Sequence, residues 1–224
     1  MDQNKIFAVY KPVGITSHDV VAIIRRKTGV KRVGHGGTLD PLAEGVLVVA
    51  VGRENTKLLD KYVKGDKEYV ATLKLGYTSD TDDREGPIHE YKRDTQNAQD
   101  LVTKHTPTED DVLECIKKFT GNIMQTPPIY SAIKIGGLPA HRRVRKGQTV
   151  VMQERPVKIN SIIIDHYSFP ELRLKIECGT GVYIRSLARD IGEKLQTGAY
   201  LEKLVRTRVG EFKIEESVRI EDLS

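Results

Sequence analysis

Residues 34–51 read "GHGGTLDPLAEGVLVVAV". The second half, Val46 to Val51, is an aliphatic run of strand length, too short to cross a bilayer, and by composition it is a buried strand. The first half is built for turning. Gly36 and Gly37 allow a tight bend, and Pro41 biases Asp40 away from the helical region. Asp40 is therefore expected on a loop that leads directly into a core strand. The residue types leave two roles open for it, turn-former or reacting acid. A carboxylate used as a nucleophile needs a cation to keep it ionised and aimed. Arg185, at the start of the helix-like "VYIRSLARDIGEKLQTG", is the candidate, although spacing alone does not bring the two together.

Working outward, "IFAVYKP" (6–12) is expected to be a strand stopped by Pro12. "SHDVVAIIRRKTG" is expected to be a helix with Ser17 as N-cap and Gly29 as terminator. "KEYVATLKLG" (67–76) reads as a strand, and residues 79–107 as a long polar excursion that could be mobile. "TEDDVLECIKKFTG" is expected to be a helix capped by Thr108, with Asp111 at the capping-box position and Gly121 as terminator. "TPPIYSAIKIGG" reads as strand into turn, and "HRRVRKG" as a short basic helix. "VKINSIIIDHYS" and "ELRLKIECG" read as two strands joined around Pro170. In the segment after Tyr183, Ile184, Leu187, Ala188, Ile191 and Leu195 recur at helical spacing, and Gly198 is expected to end that helix. No linker, repeat or low-complexity tract divides the chain, so a single mixed α/β domain over 1–224 is expected.

With 224 residues, the chain is long enough to bury a core without disulfide or metal staples. Cys115 and Cys178 have neither paired nor metal-ligand spacing and are expected to be buried thiols of a reducing, cytoplasmic protein. The N-terminus has no apolar segment of signal-peptide length. The six histidines are scattered, and neither a P-loop nor a dinucleotide fingerprint is present. The net charge of +5 points weakly to an anionic partner, and its distribution is more telling. Between Lys117 and Lys158 there are nine basic residues and one acid, Glu154, a surface suited to displacing counterions from phosphates. Tyr69 and Tyr183 suit either the core or the stacking of an extruded base; His35 suits either a plain loop or a nucleotide contact.

Taken in order, these segments resemble the pseudouridine synthases of the TruB type. "YKPVGITSHDVV" is similar to that family's N-terminal motif, and "GHGGTLDPLAEGVL" to its catalytic loop. "KEYVATLKLGYTSDTDDREG", "TPPIYSAIKIGG", "ERPVKI", "CGTGVYIRSLARDIGEKL" and "LVRTRVGEF" follow in family order, so the resemblance runs from about Lys11 to Phe212. It implies an α+β pseudouridine synthase catalytic fold: a central mixed, largely antiparallel sheet, flanking helices and an RNA-binding cleft. It also implies isomerisation of a T-loop uridine of tRNA (position 55) to pseudouridine, without cofactor, metal or obligatory protein partner.

Carried over, Asp40 would be the catalytic aspartate, attacking at ribose C1′ or uracil C6. Tyr69 would stack on the target base and Arg185 would pair with Asp40. His35, Tyr183, Lys11, Lys134, His141, Arg142 and Arg145 would form the RNA-facing set. The chain departs from the family pattern in three ways. Gly36 replaces the usual threonine after His35. His141 and Val144 replace a tyrosine and an alanine in the basic turn. The C-terminal PUA-type domain usual in such proteins is not expected after Ser224. Two further readings stay in play: a non-catalytic tRNA-binding chaperone, and a guide-RNA-dependent, dyskerin-like catalytic subunit.

Overall fold

The computed structural model describes residues 5–92 and 106–223. In chain order the elements begin with β1 (Lys5–Lys11), α1 (Ser17–Thr28), β2 (Val33–Gly36), β3 (Ala43–Val51), α2 (Arg53–Val63) and β4 (Lys67–Leu75). Next come β5 (Tyr77–Ser79), β6 (Ile88–Glu90), α3 (Glu109–Lys117), β7 (Gly121–Gln125), β8 (Lys134–Ile135), β9 (Leu138–Pro139) and α4 (Ala140–Val144). The remainder is β10 (Arg155–Ser168), β11 (Glu171–Cys178), α5 (Ile184–Lys194), β12 (Ala199–Val209), β13 (Phe212–Lys213) and β14 (Val218–Arg219). The class is α+β, with mixed but largely antiparallel strand pairing, as the resemblance implies.

The chain divides into two compact units. The first comprises Met1–Val70, Lys175–Thr180 and Lys203–Ser224; the second comprises Ala71–Leu174 and Gly181–Glu202. Strands β4, β11 and β12 run on from one into the other, so neither unit is a contiguous stretch of sequence.

In the first unit the strands follow the order β14-β1-β3-β12, with β2 added to β3 and β13 to β12. β3 is the axis: it runs antiparallel to β1 and β2 and parallel to β12. Val46 to Val51 are all fully buried, as the aliphatic run foretold. Ala8, Val46, Val48, Ala50, Leu59 and Val209 form one core cluster, in which Leu59 is the buried residue of α2. Helix α2 has no counterpart in the sequence reading, because "RENTKLLDKYV" buries only that one position. α1 forms where expected but starts one residue earlier: Thr16, not Ser17, is the N-cap and shares a capping box with Asp19. Gly29 ends α1 in the left-handed conformation, φ 69°.

In the second unit β10 pairs antiparallel with β7, and α3 packs on both β10 and α5. α3 carries the expected Thr108–Asp111 box, but it ends at Lys117, and Gly121 instead opens β7. α5 likewise ends at Lys194, short of Gly198. The hairpin β5–β6 opens just before the expected excursion at 79–107 and closes within it; residues 93–105 lie outside the described ones. "TPPIYSAIKIGG" gives only the two-residue strand β8, since Pro127 and Pro128 have no N–H to donate to a ladder.

Candidate active site

Asp40 sits at the tip of a hairpin. β2 and β3 pair with His35 opposite Val49 and Gly36 opposite Val48, and residues 37–42 form the connecting loop. The side chains that hold this loop grip its main chain on both sides of Asp40. The Ser17 hydroxyl accepts from the Leu39 N–H (2.9 Å) and donates to the Leu39 carbonyl (3.0 Å). The Pro41 carbonyl accepts from the Gly14 N–H (2.8 Å) and from Lys11 Nζ (3.4 Å). Arg206 Nη2 donates to the Gly37 carbonyl and Nε to the Val46 carbonyl, both at 2.8 Å. The Asp40 carbonyl accepts from the Ala43 N–H (3.1 Å), which closes the turn into β3.

Ser17 is available to Leu39 because Thr16 does the capping. Lys11 is fully buried, and its ammonium also donates to the carbonyls of Pro12 (2.9 Å) and Ile15 (2.8 Å). A lysine in that position braces a loop rather than meeting a phosphate. Arg206 is 1% exposed on β12, where its residue pairs in parallel register with Gly45. Gly45 has φ 104°, and a Cβ there would lie 2.2 Å from the Arg206 carbonyl oxygen, so only glycine lets these strands approach.

Tyr69 is 7% exposed. Burial pushes its hydroxyl above the usual tyrosine range, the neighbouring Arg206 guanidinium pulls it down, and the nearby Asp40 carboxylate adds a smaller upward push. The first unit thus brings together Asp40, Tyr69, Lys11 and His35, with Ser17 and Arg206 as additions that the sequence does not announce. His35 is in a strand rather than a plain loop. Its ring meets that of His18 edge-on at 5.1 Å, and burial, with His18 and Arg206 contributing, pushes its imidazole down to about 4. It is neutral at physiological pH. The departure at Gly36 also has a reason: a Cβ there would lie 2.4 Å from Cγ1 of Val63, so α2 fills the space a larger residue would need.

The second unit holds Arg185 and Tyr183. Arg185 is 6% exposed at the start of α5. Its Nη1 donates to the Thr81 carbonyl and its Nη2 to the Tyr130 carbonyl, both at 3.1 Å. Nη1 also lies 3.4 Å from Asp83 Oδ2. By sequence Asp83 belongs to a polar, acid-rich run, yet it is 3% exposed. Its Oδ1 accepts from the Thr81 hydroxyl (2.6 Å) and the Glu85 N–H (2.9 Å). The Tyr183 backbone exchanges two hydrogen bonds with the Gln125 amide, and its ring lies 5.0 Å beneath the Arg155 guanidinium.

Lys134, Arg142 and Arg145 are exposed around the β8–β9 hairpin and α4. His141 Nδ1 donates to the Ser131 carbonyl (2.8 Å), which requires the Nδ1-protonated ring. Arg143 points elsewhere: it braces the hairpin through the carbonyls of Ile135 (2.8 Å) and Gly136 (3.3 Å). Both cysteines are free and buried, and among the described residues no helix is long and apolar enough to cross a membrane.

Comparison with known proteins gives a consistent result. Residues 25–184 match the model for the TruB family pseudouridylate synthase N-terminal domain, and 185–224 that for the tRNA pseudouridylate synthase B C-terminal domain. The tRNA pseudouridine synthase B of Clostridium tetani is 43% identical over 99% of this chain and 73% of its own length. The protein of the same name from Corynebacterium diphtheriae is 44% identical over 96% of this chain and 70% of its own. Among solved structures, a chain of a Cbf5–Nop10–Gar1 complex superposes with a TM-score of 0.73 at 29% identity. The match takes in 98% of this chain and 53% of that one, so this chain spans about half the length of the solved chain. A chain of an archaeal box H/ACA Nop10–Cbf5 complex gives 0.69, also at 29% identity. With the two family models matched one after the other along the chain, and with relatives above 40% identity over nearly all of it, this chain belongs to the TruB family of pseudouridylate synthases.

Proposed function

We propose that the protein isomerises a T-loop uridine of tRNA to pseudouridine, with Asp40 as the attacking carboxylate. The observation that carries this reading is the loop on which Asp40 sits, gripped at Gly37, Leu39 and Pro41 beside the buried Tyr69. Holding a carboxylate by its neighbours' main chain presets its position before substrate arrives, which is how a site avoids reorganisation during reaction. Relatives above 40% identical over nearly all of this chain carry the name tRNA pseudouridine synthase B.

Isomerisation breaks the N1–C1′ bond, turns the uracil and rejoins it through C5. The nucleotide must first leave its stack, at a cost of a few kcal/mol that aromatic stacking and phosphate contacts offset. Tyr69 is the proposed stacking platform, and Arg185 is proposed to serve the reaction as its cation. Tyr183, with its backbone held by Gln125 and its ring under Arg155, is proposed to contact the substrate. His35, neutral, offers a hydrogen bond and an apolar edge where the nucleotide is extruded. Lys134, His141, Arg142 and Arg145 face the RNA; Lys11 serves the reaction by holding the loop. The substrate fits a cytoplasmic place of action.

The test is to incubate the purified protein, without added RNA or protein partners, with an unmodified tRNA transcript and map pseudouridine chemically. Product at the T-loop uridine is expected. Tight tRNA binding without product would instead favour the chaperone reading, and product only with an added guide RNA the dyskerin-like one. Replacing Arg142 and Arg145 by alanine should reduce the slope of log affinity against log salt by about 2, roughly 1 for each phosphate no longer neutralised.

A further inference from the structure

α5 carries two arginines one turn apart on the same face, Arg185 and Arg189. Each reaches the same two segments of the second unit. Arg185 joins Thr81 and Asp83 to the Tyr130 carbonyl. Arg189 joins Asp82 to the Thr126 carbonyl: Nη1 donates to Asp82 Oδ2 at 2.8 Å and Nη2 to the Thr126 oxygen at 2.9 Å. The two side chains form parallel rungs between residues 81–83 and residues 126–130.

The geometry of the acids matches this ladder. Asp82 and Asp83 are consecutive, yet each is directed to a different arginine. The backbone allows this because Asp82 has φ 61°, the left-handed region that aspartate enters more readily than most residues. On the other side, the Asp82 carbonyl accepts from the Leu201 N–H (3.0 Å), and the Leu201 carbonyl accepts from the Arg84 N–H (3.1 Å). Arg189 is itself aimed by its neighbour, since Nε (3.0 Å) and Nη2 (2.8 Å) both donate to Asp190 Oδ1. That leaves Nη1 directed at Asp82.

We propose that Arg189 is a positioning residue for the reaction: by gripping Asp82 it fixes residues 81–83, and with them the carboxylate and carbonyl that orient Arg185. The main-chain bonds to Leu201 tie one side of these residues, and two rungs one turn apart set their orientation toward α5. Without Arg189 the Asp82 side chain, 14% exposed, would lose its ion-pair partner and its reason to stay turned inward. Burial holds that carboxyl up at about 6 even with Arg189 and, less strongly, Arg185 pulling it down, so loss of Arg189 pushes it further toward the neutral acid. The inference rests on the function proposed above.

The test compares Arg189→Met, Arg189→Lys, Asp82→Asn and the Asp82→Asn/Arg189→Met double variant in steady-state turnover of a tRNA transcript. Hydrogen exchange at the Arg84 and Glu85 amides is read alongside. Arg189→Met and Asp82→Asn should each lower kcat by about tenfold, because misplacement of a reacting group costs up to ~100-fold. KM for tRNA should stay within about twofold of wild type, the double variant should be no worse than either single, and lysine should restore part of the loss. Protection of the Arg84 and Glu85 amides should fall in both single variants. A kcat within about twofold of wild type, additive losses, or a rise in KM alone would overturn the assignment. Should Arg189→Met not fold, the near-isosteric Asp82→Asn carries the comparison. If wild type makes no pseudouridine, the proposed function fails, and the exchange data alone decide whether Arg189 holds residues 81–83.

Discussion

Two loops in this protein each carry an acid of the proposed site, and different groups brace them. The loop around Asp40 is gripped through its main chain: Ser17 takes both polar groups of Leu39, and Lys11 and Arg206 take the carbonyls of Pro41 and Gly37. The loop around Asp83 is gripped largely through its acids, Asp82 by Arg189 and Asp83 by Arg185. The difference follows from what each acid has to do. An acid that serves as an anchor is spent in the ion pair it makes. An acid that reacts gains from being placed by more than its own carboxylate, and here its neighbours' peptide groups share the anchoring.

The comparison breaks first at Arg206. Arg206→Met would leave the Val46 and Gly37 carbonyls without these donors inside the core, at about 1–3 kcal/mol each. A loss of about 2–6 kcal/mol in urea unfolding is expected, with a fall in turnover as the Asp40 loop loosens. Unchanged stability would mean that the main-chain grip is incidental. Next comes a pair of adjacent hydroxyls. Ser17→Ala removes a buried staple of the loop and should cost about 1–3 kcal/mol together with activity. Thr16→Ala removes only a helix cap and should cost about 1 kcal/mol with turnover intact. Equal effects on turnover would erase the distinction between them.

The smallest effect is one of pH, and the two units contribute with opposite sign. His35 is pushed down to about 4 from 6.5, so as pH falls through that window the unfolded chain takes up a proton that the folded chain refuses. Its contribution therefore destabilises the fold progressively as pH drops from 6.5 to about 4, and is flat above. Asp82 is pushed up to about 6 from 3.8; its folded form binds the proton more tightly, so its contribution is lost as pH rises through that range. His35→Asn should flatten the acid-side decline of stability, and Asp82→Asn should steepen it. Melting temperature against pH for the two variants checks both signs.

Where the controlling pattern is local, the sequence is readable. The aliphatic run makes β3 visible, helical spacing makes α5 visible, and the Thr108–Asp111 box marks the start of α3. What cannot be read depends on distant partners. Ser17 and Thr16 are equivalent as caps by residue type, and only Leu39, 22 positions away, distinguishes them. The acids of "SDTDDREG" resemble a solvated run until Arg185 and Arg189 are brought to them. Arg206 is hidden because "LVRTRVG" reads as a closing motif rather than a strand. Its signal is the period of two that places Leu204 and Arg206 on the same buried face of β12. Asp40 is legible from its motif, whereas the means of holding it is not.

The central claim is that Asp40 reacts and its surroundings hold it in place. The most direct test is single-turnover conversion of an unmodified tRNA transcript by Asp40→Asn, with tRNA affinity measured on the same preparation. The account predicts affinity within about threefold of wild type and pseudouridine formation slowed by at least ~1,000-fold, the scale of losing a group that acts in the transition state. Product formation by Asp40→Asn at a rate near wild type would contradict it.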